Sequence, residues 1–228
     1  MWLFAFIPVI AATAGAAWTV FSRPGPSTVG AIQHFAAGVV FYAAAGELLP
    51  EAVEQGAIWP VVLGGGAGIV VMLLLRRVGD RFEDSQVGLL SVSTLDSFID
   101  GLVLGLAFAI GQSQGLLLAI ALGIEFLFLG LAIAGSFAKT AGSRTVIAMT
   151  FGVALAVPVG VLAALPASAL PGSWQAAAFA FGLVALLYLV TEELLVEAHE
   201  KPETNWGTAM FFVGFLCLTI IDELLIGG

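Results

Sequence analysis

Glu47-Leu48-Leu49-Pro50-Glu51-Ala52-Val53-Glu54 returns roughly 146 residues later as Glu193-Leu194-Leu195-Val196-Glu197-Ala198-His199-Glu200, with six of eight positions identical. Each copy closes an apolar run that opens alike, Phe35-Ala36-Ala37-Gly38 in one and Phe179-Ala180-Phe181-Gly182 in the other. Both runs are long enough to cross a bilayer, so the repeat belongs to membrane segments rather than to a soluble solenoid. Duplicated membrane segments with acids in matching places point to a transporter built from two related halves.

Composition agrees. Of 228 residues, 60% are hydrophobic and 10% charged, and the mean hydropathy is +1.08. A soluble domain of this size has too little interior to hide that much apolar surface. Apolar runs of about 20 residues, each sufficient for roughly 30 Å of hydrocarbon, occupy approximately 2–21, 30–50, 57–77, 87–111, 115–138, 145–166, 174–197 and 206–226. The expected fold is therefore an all-α membrane protein with eight transmembrane helices, one transporter domain over residues 1–228. Its short loops leave no room for a soluble catalytic domain. Segment 1 lacks a basic start and exceeds a signal-peptide core in length, so it reads as a retained helix. The single cysteine, Cys217, excludes an intrachain disulfide and reads as packing.

The net charge is −9, but the placement of the seven basic residues says more. Arg23 follows segment 1, Arg76, Arg77 and Arg81 follow segment 3, Lys139 and Arg144 follow segment 5, and Lys201 follows segment 7. The loops after segments 2, 4 and 6 have no Lys or Arg. Positive loops stay in the cytoplasm, which places both termini outside. The two Glu-Leu-Leu repeats then lie on opposite sides, Glu47 and Glu51 outside, Glu193 and Glu197 inside. Segments 1–3 and 6–8 become inverted repeats around a central pair, a 3+2+3 arrangement whose central pair is expected to hold the site.

Carboxylates in hydrocarbon cost at least about 2.5–3.5 kcal/mol each on insertion scales, so they face a cavity or a partner. Segment 4 carries Asp96 and Asp100 one turn apart on one face, with Ser97 beside them. Segment 5 carries Glu125, and segment 7 carries Glu192 and Glu193. No Lys or Arg lies within the body of any run, which leaves protonation or a bound cation to balance these acids. Three carboxylates from two adjacent helices make an all-oxygen cage suited to a divalent ion. Gly101, Gly105, Gly123, Gly130 and Gly135 are expected to bring segments 4 and 5 into close contact, so that they travel together.

Leu95-Asp96-Ser97-Phe98-Ile99-Asp100-Gly101-Leu102-Val103-Leu104-Gly105 resembles helix 4 of the ZIP (zinc/iron-regulated transporter-like) family, with its motif His-Asn-x-x-Asp/Glu-Gly-Leu-Ala-x-Gly. Leu122-Gly123-Ile124-Glu125-Phe126-Leu127-Phe128-Leu129-Gly130-Leu131-Ala132 is similar to helix 5 of that family, near His/Gln-Glu/Asp-x-Pro-Glu-Gly-Leu-Ala. Tyr188-Leu-Val-Thr-Glu-Glu-Leu-Leu-Val-Glu-Ala-His199 resembles the helix 7 stretch Val-x-His-Glu-x-Ile-Pro-Glu-x-His, and Leu218-Thr-Ile-Ile-Asp222 the Leu-Asp close of helix 8. The likeness spans nearly the whole chain. It implies transport of divalent metal into the cytoplasm by alternating access of an elevator type, and the same eight-helix topology.

The departures bear on substrate. Asp96 stands at the family's first His and Ser97 at its Asn, while Asp100 keeps the carboxylate. Glu125 stands at the His or Gln of helix 5, but Phe126 and Leu129 replace its two acids. In Ala156-Val157-Pro158 the Glu of a Glu-Pro motif has become Val157, and Arg76 to Gln86 lacks the usual histidines. The resemblance thus keeps one metal site, Asp96, Asp100, Glu125 and Ser97, and depletes the second. Zinc favours imidazole and thiolate, which this site does not offer. Carboxylates suit Mn²⁺, Fe²⁺, Co²⁺ or Mg²⁺, with Zn²⁺ and Cd²⁺ still open.

Glu192, Glu193, Glu197 and His199 are expected along a cytoplasmic release path, with Glu200 and Glu203 as a solvated acidic end. His34, at the start of segment 2, reads as an interfacial residue. Glu47, Glu51 and Asp222, with Glu223, are expected at an external entrance, where their field draws cations. Two histidines at opposite ends of the chain make no zinc hydrolase site, and no Walker loop is present, so neither an enzyme nor an ATP-driven pump is expected. No resident cofactor is expected, since the divalent ion is the substrate. The other expected partner is the lipid bilayer, nucleic acid is not, and a homodimer is left open. The expected location is a bacterial inner (plasma) membrane. The competing reading is a ZIP-like protein that no longer moves metal, serving as a sensor, a scaffold or a proton-linked carrier of another solute.

Overall fold

A computed structural model describes residues 3–22, 24–54, 58–82, 85–137, 140–201 and 205–226. Arg23, Lys139 and Glu203 lie outside the described residues. Among those described there is no strand, and eight helices are long and apolar enough to cross a membrane. They are α1 (Phe4–Ser22), α2 (Pro26–Glu54), α3 (Ile58–Arg81), α4 (Gln86–Ile110), α5 (Gln112–Phe137), α6 (Ser143–Ala169), α7 (Gly172–His199) and α8 (Trp206–Leu225). Helices are forced on such a chain, because only they satisfy every backbone group within a single segment in hydrocarbon. This is the architecture of an integral, multi-pass membrane protein. The boundaries fall within a few residues of the apolar runs, and α2 and α7 run past both ends of theirs.

The repeat sets the fine structure of those two helices. Regular α-helix runs over Pro26–Tyr42 in α2 and over Gly172–Tyr188 in α7, 17 residues in each. Both then widen into a π-helical turn, Ala43–Leu48 and Leu189–Leu194. Leu49 N–H closes the first turn on the Ala44 carbonyl, and Leu195 N–H closes the second on that of Val190. The start of each helix and both edges of its widened turn are displaced by the same 146 residues (172 − 26, 189 − 43, 195 − 49). Proline is not the shared cause, because Pro50 follows the first turn and Val196 the second. The common offset corrects one detail of the sequence comparison. Phe35-Ala-Ala-Gly and Phe179-Ala-Phe-Gly are 144 apart, so they lie two residues out of register, and Phe35 corresponds to Phe181.

Helix α6 bends for a different reason. Pro158 has no N–H for the Ala154 carbonyl, and the helix breaks at Leu155 between Ser143–Ala154 and Ala156–Ala164.

Four interfaces dominate the packing: α1 with α5, α2 with α8, α4 with α6, and α3 with α7. Each brings backbones together at glycine. A methyl group on Gly101 would sit 2.2 Å from the Val157 carbonyl oxygen, and one on Gly160 would sit 2.2 Å from that of Phe98. The five glycines expected to join α4 to α5 therefore do something else. Gly101 and Gly105 face α6, Gly123 and Gly130 face α1, and Gly135 has nothing within 4 Å. Glycine spacing announces a close approach without naming the neighbour. Helix α5 is the most enclosed of the eight, whereas α8 and α3 show broad apolar faces, including Trp59, Leu63, Phe212 and Leu216, as lipid contact requires.

Gly101→Val should force α4 off α6 and lower the thermal midpoint in detergent, with an overpacking cost of about 1–3 kcal/mol or more. Gly152→Ala, with nothing within 4 Å of its added methyl, should leave that midpoint unchanged or raise it. Equal behaviour of the two variants would show that the α4–α6 contact is dispensable.

Candidate metal centre

Helix α4 begins at a cap, where the Ser85 hydroxyl accepts a hydrogen bond from Gly88 N–H at 3.3 Å. Its register then stacks Asp96 and Asp100 one turn apart. Gly101, next to Asp100, packs the adjoining face of the helix against α6. Enclosed helix α5 brings in Glu125. One ligand atom from each of Asp96, Asp100 and Glu125 lies within 4.8 Å of the other two. Asp100 and Glu125 are each only 4% exposed, whereas Asp96 is half-buried.

Two oxygens decide what this cluster can do. Asp100 Oδ2 and Glu125 Oε2 are buried and accept no hydrogen bond. A buried carboxylate oxygen without a donor carries its full desolvation cost. Two such groups converging with the half-buried Asp96 fit the all-oxygen coordination of a hard or borderline divalent cation. Ser97 is fully buried, but its hydroxyl donates to the Ser93 carbonyl at 2.7 Å, so only its lone pairs remain for a ligand. Around the three acids, the positions where the resemblance expects further ligands are apolar. Phe126 and Val157 are fully buried in the core, and Leu129 forms wall.

A cavity of about 1140 Å³ leads to the cluster. Asp96, Glu125 and Glu193 are on its wall, as are Glu192 and Glu197. Pro24, Asp80, Ser136 and Lys201 also line it, and all four lie at the ends of helices adjoining the basic loops, so the cavity opens on that side. Glu193, on the path, lies within electrostatic reach of Asp96, Asp100 and Glu125. A cation is closer than the sequence suggested. Arg76, inside α3, pairs with Glu192 at 2.8 Å and acts on Glu193. Both partners of the pair are about half exposed, so it is worth no more than about 1 kcal/mol.

Of the expected release path, Glu192, Glu193 and Glu197 line this cavity, and His199 is not on its wall. The His199 ring instead stands edge-on to His34, centroids 5.2 Å apart. His34 is 5% exposed, a buried residue rather than an interfacial one. A single sequence has no signal for this pairing across 165 positions beyond the scarcity of histidine itself.

The expected entrance residues lie at the other ends of α2 and α8. Tyr42 donates its hydroxyl to Asp222 Oδ2 at 2.7 Å, and Glu47, 6% exposed, is enclosed within electrostatic reach of Asp222. The group holds Glu47 enclosed, Glu51 and Asp222 partly exposed, and Glu223 exposed. Its repeat mates stand on the opposite side at the same displacement of 146 (188 − 42, 193 − 47, 222 − 76), with Tyr188 for Tyr42, Glu193 for Glu47 and Arg76 opposite Asp222. Tyr188 faces the Arg76 guanidinium, although its hydroxyl makes no hydrogen bond.

No known family's sequence profile matches this chain, and no curated protein is significantly similar to it. The reading of the centre therefore rests on its residues.

Asp100→Asn removes a buried ionisable group crowded by two other acids while nearly preserving shape. In metal-free protein at neutral pH it should raise the thermal midpoint, and it should abolish any rise that divalent ions give the parent. A lower midpoint without metal would mean that Asp100 is held by a donor and does not await a cation.

Proposed function

We propose that the chain is a divalent cation transporter of the ZIP kind, carrying ions of the Mn²⁺, Fe²⁺, Co²⁺ or Zn²⁺ type toward the cytoplasm by alternating access. One observation carries this reading: three carboxylates, two with orphaned oxygens, converge within membrane spans at the inner end of a cavity that opens on the side of the basic loops. Such a group serves no purpose in a scaffold, where protonated acids would find donors. The cage takes one ion, because Phe126, Leu129 and Val157 supply no second set of ligands.

The 3+2+3 arrangement supports movement. Exchanging α1 with α6, α2 with α7, α3 with α8 and α4 with α5 turns the α1–α5 interface into α6–α4, and α2–α8 into α7–α3. These are the four dominant contacts. They divide the helices into α1, α4, α5 and α6, which hold the site, and α2, α3, α7 and α8. The glycine contacts favour grouping α1 and α6 with the central pair, so the proposed moving unit is these four helices rather than α4 and α5 alone. The other four form the frame. With the basic loops in the cytoplasm and both termini outside, the cavity faces inward, and an inside-negative potential favours cation uptake, by about 2.3 kcal/mol per charge per 100 mV.

Topology is tested with a single cysteine beside Arg77 in a Cys217→Ser background. A membrane-impermeant maleimide should label it only after the cells are opened, and labelling of intact cells would reverse the proposed direction.

Transport itself is tested in proteoliposomes with Mn²⁺, Fe²⁺, Co²⁺, Zn²⁺, Cd²⁺ and Mg²⁺, with and without a pH gradient. Saturable uptake of at least one ion, reduced tenfold or more in Glu125→Gln, is the expected result. Absence of uptake for the whole panel would leave the competing reading, a ZIP-like protein that moves no metal.

A further inference from the structure

The chain has two histidines, and the fold brings them together from 165 positions apart, at the end of α7 and eight residues into α2. Both rings are fixed in the same way. His34 Nδ1 bonds the Gly30 carbonyl at 2.9 Å, and His199 Nδ1 bonds the Leu195 carbonyl. A backbone carbonyl can only accept, so each Nδ1 carries the hydrogen and each neutral ring keeps its lone pair on Nε2. This second-sphere bond is the one that orients metal-binding imidazoles and raises their basicity.

His34 Nε2 is buried and has no hydrogen-bond partner. An imidazole nitrogen acceptor enclosed without a donor is a cost that packing alone does not explain. Its ring neighbour supplies no donor, since both exchangeable hydrogens are committed to backbone. Spacing adds a geometric reason. Two imidazoles bound through nitrogen to one tetrahedral ion hold their centroids roughly 5 Å apart, given metal–nitrogen lengths of about 2.0–2.1 Å. The rings here are 5.2 Å apart.

We propose that His34 and His199 form a two-imidazole site for a borderline transition-metal ion, of the Zn²⁺, Co²⁺ or Ni²⁺ class, where α2 meets the end of α7. His199 is exposed, which gives an ion access and leaves room for water to complete the coordination. Glu197, two residues earlier, is anchored by Gln33 Nε2 through one oxygen at 2.9 Å, leaving its other oxygen to add negative field. Glu200 adds more, and Lys201 on the adjoining turn opposes it. The site lies six residues beyond Glu193, about 9 Å further along the helix, and is chemically unlike the carboxylate centre. Nitrogen donors prefer zinc-like ions, whereas the oxygen cage also suits Mn²⁺ or Mg²⁺. Nothing in it requires that ions cross the membrane.

The test uses full-length protein in detergent, purified without a polyhistidine tag and labelled with ¹⁵N-histidine, so that the spectra hold only two imidazoles. Zn²⁺ should shift the Nε2 signals of both rings together, and Mg²⁺ should shift neither. Co²⁺ stoichiometry should fall by one ion per chain in His34→Gln and in His199→Gln, and the two losses should not add. His199 is exposed, so its variant tests the site even where His34→Gln fails to fold. Asp100→Asn should leave the imidazole shifts intact, which separates this site from the carboxylate centre and from the transport reading. Unmoved Nε2 signals at saturating Zn²⁺, or unchanged Co²⁺ stoichiometry in His199→Gln, would reduce the pair to an aromatic contact and overturn the proposal.

Discussion

In a chain whose surface is apolar almost everywhere, burial of hydrocarbon cannot tell one helix face from another, since lipid offers the same environment as protein. What does discriminate is how closely two backbones can approach. The four dominant interfaces each contain glycines where an added methyl would strike a carbonyl of the facing helix, with Gly101 and Gly160 doing so reciprocally across α4 and α6. That contact fixes the rotation of α4. Asp100, the residue before Gly101, is thereby turned inward, and Asp96 follows one turn earlier. The position of the carboxylates is thus a consequence of where side chains are missing.

Much of this was legible in the residues. Apolar run lengths gave eight helices, and the i, i+4 spacing of Asp96 and Asp100 placed both on one face. Glu125 joined them as the acid within the next apolar run, the adjacent helix, because spacing within one helix does not indicate which acid of another helix it will meet. The same limit explains the errors. Gly130 signals a close neighbour but cannot say that it is α1. His34 gives no sign of His199. A four-residue likeness, Phe35–Gly38 against Phe179–Gly182, was two residues out of register, whereas the Glu47 and Glu193 repeats and the widened turns at Ala43–Leu48 and Leu189–Leu194 share the displacement of 146. Their residues have no common pattern in a single sequence that forecasts a π-helical turn.

The two widened turns also connect the repeat to the centre. Each closes just after an acid, Glu47 in α2 and Glu193 in α7, and rotates the chain that follows it relative to the chain before it. In α7 this carries Glu193 toward the three carboxylates while Glu192 stays with Arg76 at the cavity wall. Irregular turns of this kind concentrate at functional positions in helices. Here the irregularity comes twice, at corresponding places, so it belongs to the duplicated unit and not to a local accident of one helix.

Arg76 and Asp222 occupy corresponding places in the two halves, yet one is a cation and the other an anion. A molecule with identical halves would have no preferred direction of its own. This exchange gives it one. In the proposed topology Arg76 is balanced by Glu192 at the cytoplasmic end, while Asp222 at the outer end has an oxygen without a partner. An inside-negative voltage favours a negative charge held outside. The duplicated scaffold is thereby polarised along the field of a living membrane, and reversing the protein in the bilayer would cost energy even before any ion is bound.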